Sequence, residues 1–466
     1  MPVDVIVLAA GKGTRMRSAL PKVLHDLAGR PLLAHVLASA EALSPQKIHV
    51  VCGHAAEAVR EGTPAASKIN WVEQKEQLGT AHAVGQALPH VSAGADVLVL
   101  YGDVPLIRTQ TLEELIDRCG SQHLALLTAR VEDPTGYGRI LRSAKGAVHA
   151  IVEEADASDE ERAINEINTG FIAAPVDKLR AWVSAIGNDN RQGEYYLTDI
   201  VGCAAADGTH VEAVDCKDVS EIIGVNSRAE LARAERIFQA REAARLMAAG
   251  LTLYDPARFD LRGRLQFGQD CRIDINVVIS GEVKLGENVS IGPNCQIIDS
   301  EIGDGAEIRA NSIVEGARIA DRCSVGPFAR VRPGTALGVG ARIGNFVETK
   351  NATLGVQSKA NHLAYVGDAE VGDRVNIGAG VITCNYDGAN KHQTTIEDDA
   401  FIGSNSALVA PVKIGKGATV GAGSAISRDV APGQLVVTRA DQTVRDDWQR
   451  PQKKDSEKKH RKSEDT

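Results

Sequence analysis

The stretch LGENVSIGPNCQIIDSEIG, residues 285–303, decides the architecture. Leu285, Ile291 and Ile297 stand six apart, and after one dropped residue the beat resumes at Ile302. Read backward, it continues through Ile279 to Ile273. Read forward, it runs through Ile308, Val314, Ile319, Val325, Val331, Leu337 and Ile343. It returns at Val371 and Ile377, then from Ile396 through Ile402, Leu408, Ile414 and Val420 to Ile426. Glycine often follows, as at Gly286, Gly292, Gly303, Gly403 and Gly415. A period of six fits neither an amphipathic helix nor an alternating strand. It is the period of a hexapeptide β-helix, in which each hexad makes one short flat strand and a corner. The aliphatic side chain points inward and the small residue permits the turn. The strands of a β-sandwich would not hold one phase for so long. End coils of such a prism need covering, and its flat sides offer faces for self-association.

Composition fits that reading. The chain has 466 residues, enough for two or more domains. Apolar residues make up 43% and aromatic ones only 4%, which suits a narrow interior of Val, Ile, Leu and Ala. A net charge of −9 argues against general nucleic-acid binding. Eight cysteines are scattered without a CxxC pair, which implies a reducing, cytoplasmic compartment. The N-terminus lacks the pattern of a secretory leader, and no apolar run approaches the roughly 20 residues that span a bilayer.

Before the prism, Val5 to Ala10 reads as a buried strand that ends in Gly11-Lys12-Gly13-Thr14-Arg15-Met16. A helix-like stretch containing Pro21-Lys22 follows. Strand, glycine turn and helix start would aim backbone N–H groups at phosphate, with Lys12, Arg15 and Lys22 adding positive charge. The spacing is not that of a Walker A loop, and Met16 occupies the third glycine position of a dinucleotide fingerprint. The strand Ile48 to Cys52 ends at Gly53-His54 without the acidic residue that would hold a ribose. Val97 to Leu100 is another apolar strand, with Asp103 just past its carboxyl end, where open α/β sheets place ligands. Beside a phosphate turn, Asp103 is either an oxygen ligand for Mg²⁺ or the cap of a turn before Pro105.

The segments LAAGKGTRM (8–16) and LPK (20–22) form the signature of sugar-nucleotide pyrophosphorylases. QKEQLGTA (74–81), Tyr101-Gly102-Asp103, TGYGR (135–139), EINTG (166–170) and GEYYLT (193–198) continue the likeness. With the hexapeptide array behind them, nearly the whole chain resembles the bifunctional pyrophosphorylases that also carry an acetyltransferase. The resemblance implies acetylation of glucosamine 1-phosphate from acetyl-CoA, then uridylyl transfer from UTP to give UDP-N-acetylglucosamine. It implies nucleotide and sugar contacts from Leu8, Ala9, Ala10, Gly11, Lys22, Gln74, Gly79, Thr80, Tyr101, Gly102 and Asp103. Among these, Leu8, Gln74, Gly79 and Thr80 are the uridine contacts, and an amide such as Gln74 can match a uracil edge. The sugar is implied to meet Gly138, Glu153 and Asn168. Asn226 is the implied second Mg²⁺ ligand beside Asp103, and it also reads as a helix N-cap. Arg15 and Lys22 are the implied catalytic cations.

From Ser227 to Gly250 the pattern turns helical, with Leu231, Ala234, Ile237 and Phe238 on one stripe. A helix here links two domains and covers the open end of the prism. Within the prism the rhythm loosens between about Asn345 and Glu370 and breaks at TCNYDGANKHQTT (383–395), and breaks in a repeat are expected as loops. Arg332, Lys350 and Lys391 are candidates for a phosphate. His362 is the one obvious general base, since an imidazole's ordinary pKa of about 6.5 suits proton removal at neutral pH.

The resemblance makes His362 the base that deprotonates the sugar amine and adds Tyr365, Asn376, Asn385 and Tyr386 around sugar and acyl group. It assigns Ala379, Asn385, Tyr386, Ser404, Ala422 and Arg439 to acetyl-CoA, with Asn385 and Ser404 also catalytic. Asn361 stands where the family has a glycine before the histidine.

The expected fold is an α/β nucleotidyltransferase domain, Rossmann-like with a mostly parallel sheet, followed by a left-handed parallel β-helix of hexapeptide repeats. The expected divisions are 1–225, a linker helix 226–250, the prism 251–450 and a disordered charged tail 451–466. The expected assembly is a homotrimer without nucleic acid or membrane insertion. Two rivals are a pyrophosphorylase with a regulatory hexapeptide domain and a non-enzymatic scaffold. QKEQLGTA and NYDGANK speak against the first, and intact candidates for metal ligand and base against the second.

Overall fold

The computed structural model describes residues 2–11, 13–53, 55–63 and 69–451. Lys12 and all of the charged tail beyond Pro451 lie outside them. The first apolar run is the strand Val3–Ala9, buried from Asp4 onward at the centre of a sheet. It pairs in parallel with Lys47–Cys52 on one side and with Asp96–Tyr101 on the other. Ile69–Glu73 extends the first side in parallel. On the second side, Glu166–Pro175 runs antiparallel to both Asp96–Tyr101 and Leu124–Arg130, and Val211–Asp215 adds a parallel edge. The sheet is thus mixed but mostly parallel, with a separate apolar core on each face, as strands covered on both sides require.

One local expectation is corrected. No α-helix follows the glycine turn directly. Thr14–Met16 and Lys22–Leu24 are single 3-10 turns, and the first α-helix is Leu32–Ala42. The reason is local: Gly13 has φ 60 and Arg17 φ 48, so left-handed residues bracket the first turn and stop helix propagation. Pro21 then lies in extended backbone. Gly13 must be glycine, because a Cβ there would lie 2.7 Å from Cβ of Lys22.

The helix Arg228–Ala248 forms as its stripe implies. Its N-cap is Ser227, whose hydroxyl accepts from the Glu230 N–H, so the capping role read for Asn226 belongs one residue later. Ala234, Leu231, Ile237 and Phe238 pack with Met16, Leu27, Leu32, Leu106 and Val225. One turn further, Ala243 and Leu246 join the core of the prism. Between them Gln239 is buried. Its Nε2 donates to the Leu261 carbonyl at 2.9 Å and its Oε1 accepts from the Leu261 N–H at 2.7 Å. One amide thereby satisfies two backbone groups of an edge strand that would otherwise be left open.

The prism obeys the period. Ile273, Ile291, Ile308, Val325 and Ile343 stack in parallel register down one side. Ile279, Ile297, Val314 and Val331 line the second, and Leu285, Ile302, Ile319 and Leu337 the third. Successive coils are 17 or 18 residues apart, so the residue dropped in sequence is the difference between a short coil and a full one. All these side chains are buried in one cluster, each worth about 1.5–3 kcal/mol of burial.

The loosened stretch is also corrected. Arg342–Leu354 and Lys359–Val371 are strands, stacked in parallel along most of their length. The beat continues there through Thr349, Leu354, Ala360 and Val366, all fully buried. Thr and Ala at two of these places hid it. The second break is a true excursion: residues at that step are 25 apart instead of 17 or 18, and a loop rises between Ile382–Cys384 and Thr394–Ile396.

Candidate active sites

At the carboxyl ends of Val3–Ala9 and Asp96–Tyr101 lies a cavity of about 350 Å³. Leu8, Ala9, Ala10, Gly11, Lys22, Gln74, Gly79, Thr80, Tyr101 and Asp103 line it, all expected there. Val23, Gln77, Ala83 and Glu194 line it as well and were not foreseen. Gln77 and Glu194 sit inside the QKEQLGTA and GEYYLT segments, so the signal was present. Those two segments are zipped together. Ala81 N–H donates to the Tyr195 carbonyl at 2.9 Å and Tyr195 N–H to the Leu78 carbonyl at 2.8 Å. The Thr80 hydroxyl accepts from the Leu197 N–H at 3.0 Å. Gly79, at φ 119, lies so close to the Tyr195 backbone that any Cβ would collide with it. Buried Gln74 donates to the Gly79 carbonyl at 3.2 Å.

Deeper in the site, the Lys22 ammonium meets the Asp103 carboxylate and lies 2.9 Å from Oδ1 of Asn226. Two oxygens from residues more than 100 positions apart in the chain therefore converge on one positive charge. Among the described residues no group of three or more His, Cys, Asp or Glu could hold a metal. A metal here would be a hard cation on two protein oxygens, completed by phosphate and water.

Gly138, Glu153 and Asn168 adjoin one another. Asn168 N–H donates to the Gly138 carbonyl at 2.8 Å, and Glu153 accepts from the Thr198 hydroxyl at 2.9 Å. Burial, with Asp199 and Asp156 nearby, pushes the Glu153 carboxyl up against the opposing bond from Thr198. Burial and then the charges of Glu153 and Asp103 raise the Tyr101 phenol too, so it stays a donor between the two parts of the site. Arg139, fully buried, holds Glu154 at 2.6 Å and fixes the chain beside Glu153. Arg15 does not line the cavity; it lies exposed on its 3-10 turn.

The second cluster surrounds one corner of the prism. His362 is exposed there, and Asn345 stands beside it in register one coil earlier. Nδ1 of His362 is 3.0 Å from Oδ1 of Asn345. The amide oxygen can only accept, so Nδ1 carries the proton and Nε2 is left as the basic nitrogen. Asn345 was missed, though it precedes His362 by one short coil. Asn361 adopts an ordinary backbone; the left-handed residue is Leu363, at φ 37.

On the face after this corner, Lys350 and Lys391 approach closely, and Lys391 with Arg332 lowers the Lys350 ammonium pKa. Arg332 also pairs with Glu348 at 2.7 Å. Such crowding of cations suits a polyanionic ligand. Tyr365 and Asn385 stand together at 3.4 Å. Down the corner itself, Asn405 N–H bonds the Ala379 carbonyl and Gly423 N–H the Ser404 carbonyl. Ala379, Ser404 and Ala422 thus form one column below His362, and Arg439 lies against Gly423. Asn376 stands on the face before the corner, paired with Phe401, with no side-chain hydrogen bond to the cation cluster among the described residues. Tyr386 is exposed on the excursion loop.

Fold and sites define a nucleotidyltransferase joined to a hexapeptide-repeat acyltransferase. A MobA-like NTP transferase domain model matches residues 5–167, a GMPPB C-terminal domain 261–359 and a hexapeptide repeat of succinyl-transferase 393–428. The chain is 56% identical to a protein named Bifunctional protein GlmU from Stutzerimonas stutzeri (strain A1501), over 97% of this chain and 100% of the relative. It is equally similar, at 56%, to the one from Azoarcus sp. (strain BH72), with 97% and 100% covered. To that of Pseudomonas entomophila (strain L48) it is 55% identical, with 97% and 99% covered. The chain belongs to the bifunctional GlmU family. It is a bifunctional transferase of UDP-N-acetylglucosamine synthesis, a cell-wall precursor pathway, with uridylyl-transfer and acetyl-transfer activities.

Proposed function

We propose that each activity uses one of the two clusters, within functional divisions at 1–225, 226–250 and 251–450. What supports this most is convergence: Lys22, Asp103 and Asn226 meet in one half, and an Asn345-oriented His362 stands beside a cation cluster in the other. In the first half, an oxygen of N-acetylglucosamine 1-phosphate attacks the α-phosphorus of UTP. The new P–O bond forms as the α–β bridge breaks and pyrophosphate leaves. The nucleophile is already an anion, so it needs alignment and charge neutralisation and no general base. Leu8, Gln74, Gly79 and Thr80 hold uridine; Gly138, Glu153 and Asn168 hold the sugar; Lys22 and Arg15 meet the phosphates. Asp103 and Asn226 would hold Mg²⁺, whose two oxygens fit that hard ion. When bound, it neutralises phosphate charge.

In the second half, Arg332, Lys350 and Lys391 bind the phosphate of glucosamine 1-phosphate, and Tyr365 and Asn376 the sugar. Nε2 of His362 takes a proton from the amine as its nitrogen attacks the acetyl carbonyl of acetyl-CoA. A C–N bond forms, the C–S bond breaks and the thiol of coenzyme A leaves. Ser404 or a neighbouring N–H stabilises the oxyanion, Asn385 orients the reacting amine, and Ala379, Tyr386, Ala422 and Arg439 hold the cofactor.

We infer a homotrimer around a common axis, with the loop 383–395 completing a neighbour's site. The assigned residues lie on two faces of one corner, and one chain leaves that corner open. Exposed Phe328 and Phe346 stack there at 5.5 Å, with Leu363 following on the next coil. We place the enzyme in the cytoplasm: all eight cysteines are free, and no described helix is long and apolar enough to cross a membrane. A coupled assay with glucosamine 1-phosphate, acetyl-CoA, UTP and Mg²⁺ tests the reading. It should release coenzyme A and then pyrophosphate, and a chelator should stop only the second release. Pyrophosphate release that persists without any divalent metal would refute the metal assignment.

A further inference from the structure

We propose that Asp368 is a positioning residue for acetyl transfer, anchoring Asn385 and the excursion loop it begins. This inference rests on the acetyl-transfer reading above, which gives Asn385 its role.

Asp368 stands at φ 45, a left-handed position that a non-glycine residue adopts at a cost. The turn is pinned from inside the prism. The buried Thr383 hydroxyl accepts from the Gly367 N–H at 2.8 Å and donates to the Gly367 carbonyl at 2.9 Å. A Cβ on Gly367 would collide with the Tyr365 hydroxyl. Strain and pinning together aim the Asp368 carboxylate outward.

Each of its oxygens has a separate task. Oδ1 accepts from Nδ2 of Asn351 at 2.7 Å, one coil before. Oδ2 accepts from Nδ2 of Asn385 at 2.5 Å, one coil after. Asn385 Nδ2 also reaches the Tyr365 hydroxyl. The amide donors of Asn385 are thereby directed at Asp368 and Tyr365, so its Oδ1 is the end left to face a substrate. A free asparagine amide has no such preference.

Asn385 is also where the loop closes, because its carbonyl accepts from the His392 N–H at 2.8 Å. A bridge joins Tyr386 to Lys391. The loop has its own internal lock, in which Asp387 accepts from the N–H groups of Ala389 and Asn390 and from His392. It is therefore a small rigid flap attached through Asn385, and Asp368 fixes the attachment. Lys350 and Lys391 both act on the Asp368 carboxylate, which is held below its ordinary range despite burial. The carboxylate thus also lets two like charges converge before any phosphate arrives.

The test uses the full-length enzyme and steady-state acetyl transfer. Asp368→Asn keeps shape but presents an amide to an amide. It should lower kcat by about 10- to 100-fold, the scale of a misaligned catalytic group. KM for glucosamine 1-phosphate should move less than about three-fold, since lost lysine alignment and lost anion repulsion oppose each other. Asn385→Ala should cost a similar factor, and the double variant little more, because both act through one contact. Asn351→Gly, which removes the other partner and tolerates the left-handed position, should keep kcat within about three-fold. A purely structural carboxylate would make Asn351→Gly and Asp368→Asn equally damaging. That result, an unchanged kcat in Asp368→Asn, or independent losses that multiply in the double variant would overturn the proposal. A parent enzyme without acetyl transfer would defeat the underlying reading and this proposal with it.

Discussion

Nδ1 of His362 lies 3.0 Å from Oδ1 of Asn345, the residue in register one coil earlier. The contact selects the tautomer and aims Nε2 outward. His362→Ala should therefore lose acetyl transfer by about 10²–10⁴-fold, the usual worth of a general base. Asn345→Ala should lose less, about ten-fold, because it only orients the ring. Acetyl-transfer kinetics on the three proteins check this, and near-normal turnover in His362→Ala would show that the base lies elsewhere.

Glu153 gives a pH effect on stability. Burial raises its carboxyl above the ordinary glutamate value of 4.5, so the folded protein binds its proton more tightly than the unfolded chain does. Stability should then fall as pH rises from 4.5 through the raised folded value, and the deficit persists at neutral pH. Glu153→Gln should raise Tm at pH 7–8 and gain progressively less below pH 5, while weakening uridylyl transfer through lost sugar contact. Scanning calorimetry across pH reads this directly, and a neutral-pH Tm that falls would contradict it.

Assembly has its own test. If the loop 383–395 completes a neighbour's site, acetyl transfer should vanish with dissociation. Phe346→Asp, on the exposed stacked pair, should shift sedimentation toward monomer and reduce acetyl transfer at least ten-fold, with uridylyl transfer kept. The estimate follows from burying an unpaired charge in an apolar contact. A monomer with full acetyl transfer would rule the shared site out.

Much of this was legible in the chain, and the exceptions have physical reasons. The six-residue beat exposed the prism because only inward positions must be aliphatic. It failed between 345 and 370 because Thr349 and Ala360 fill inward positions without looking aliphatic. The nucleotide cavity was legible because its residues sit in short contiguous segments. Asn345 and Glu348 were not, since their partners are a coil away and only the stacking register joins them. The absence of a helix after the glycine turn was hidden because left-handed backbone at Arg17 is set by surroundings and not by residue type. Asn226 and Ser227 both suit a cap, and only the structure shows Ser227 taking it while Asn226 turns to Lys22.

The central claim is that two separate sites on one chain act in sequence, and mixing two variants tests it most directly. Asp103→Ala and His362→Ala each interrupt one site, and sites on separate cores couple weakly. UDP-N-acetylglucosamine formation from glucosamine 1-phosphate, acetyl-CoA and UTP should be nearly absent with either variant alone. An equimolar mixture should restore it to a substantial fraction of the parent rate, because the acetylated sugar phosphate diffuses between proteins. A mixture as inactive as its components, or product from either variant alone at the parent rate, would contradict the account.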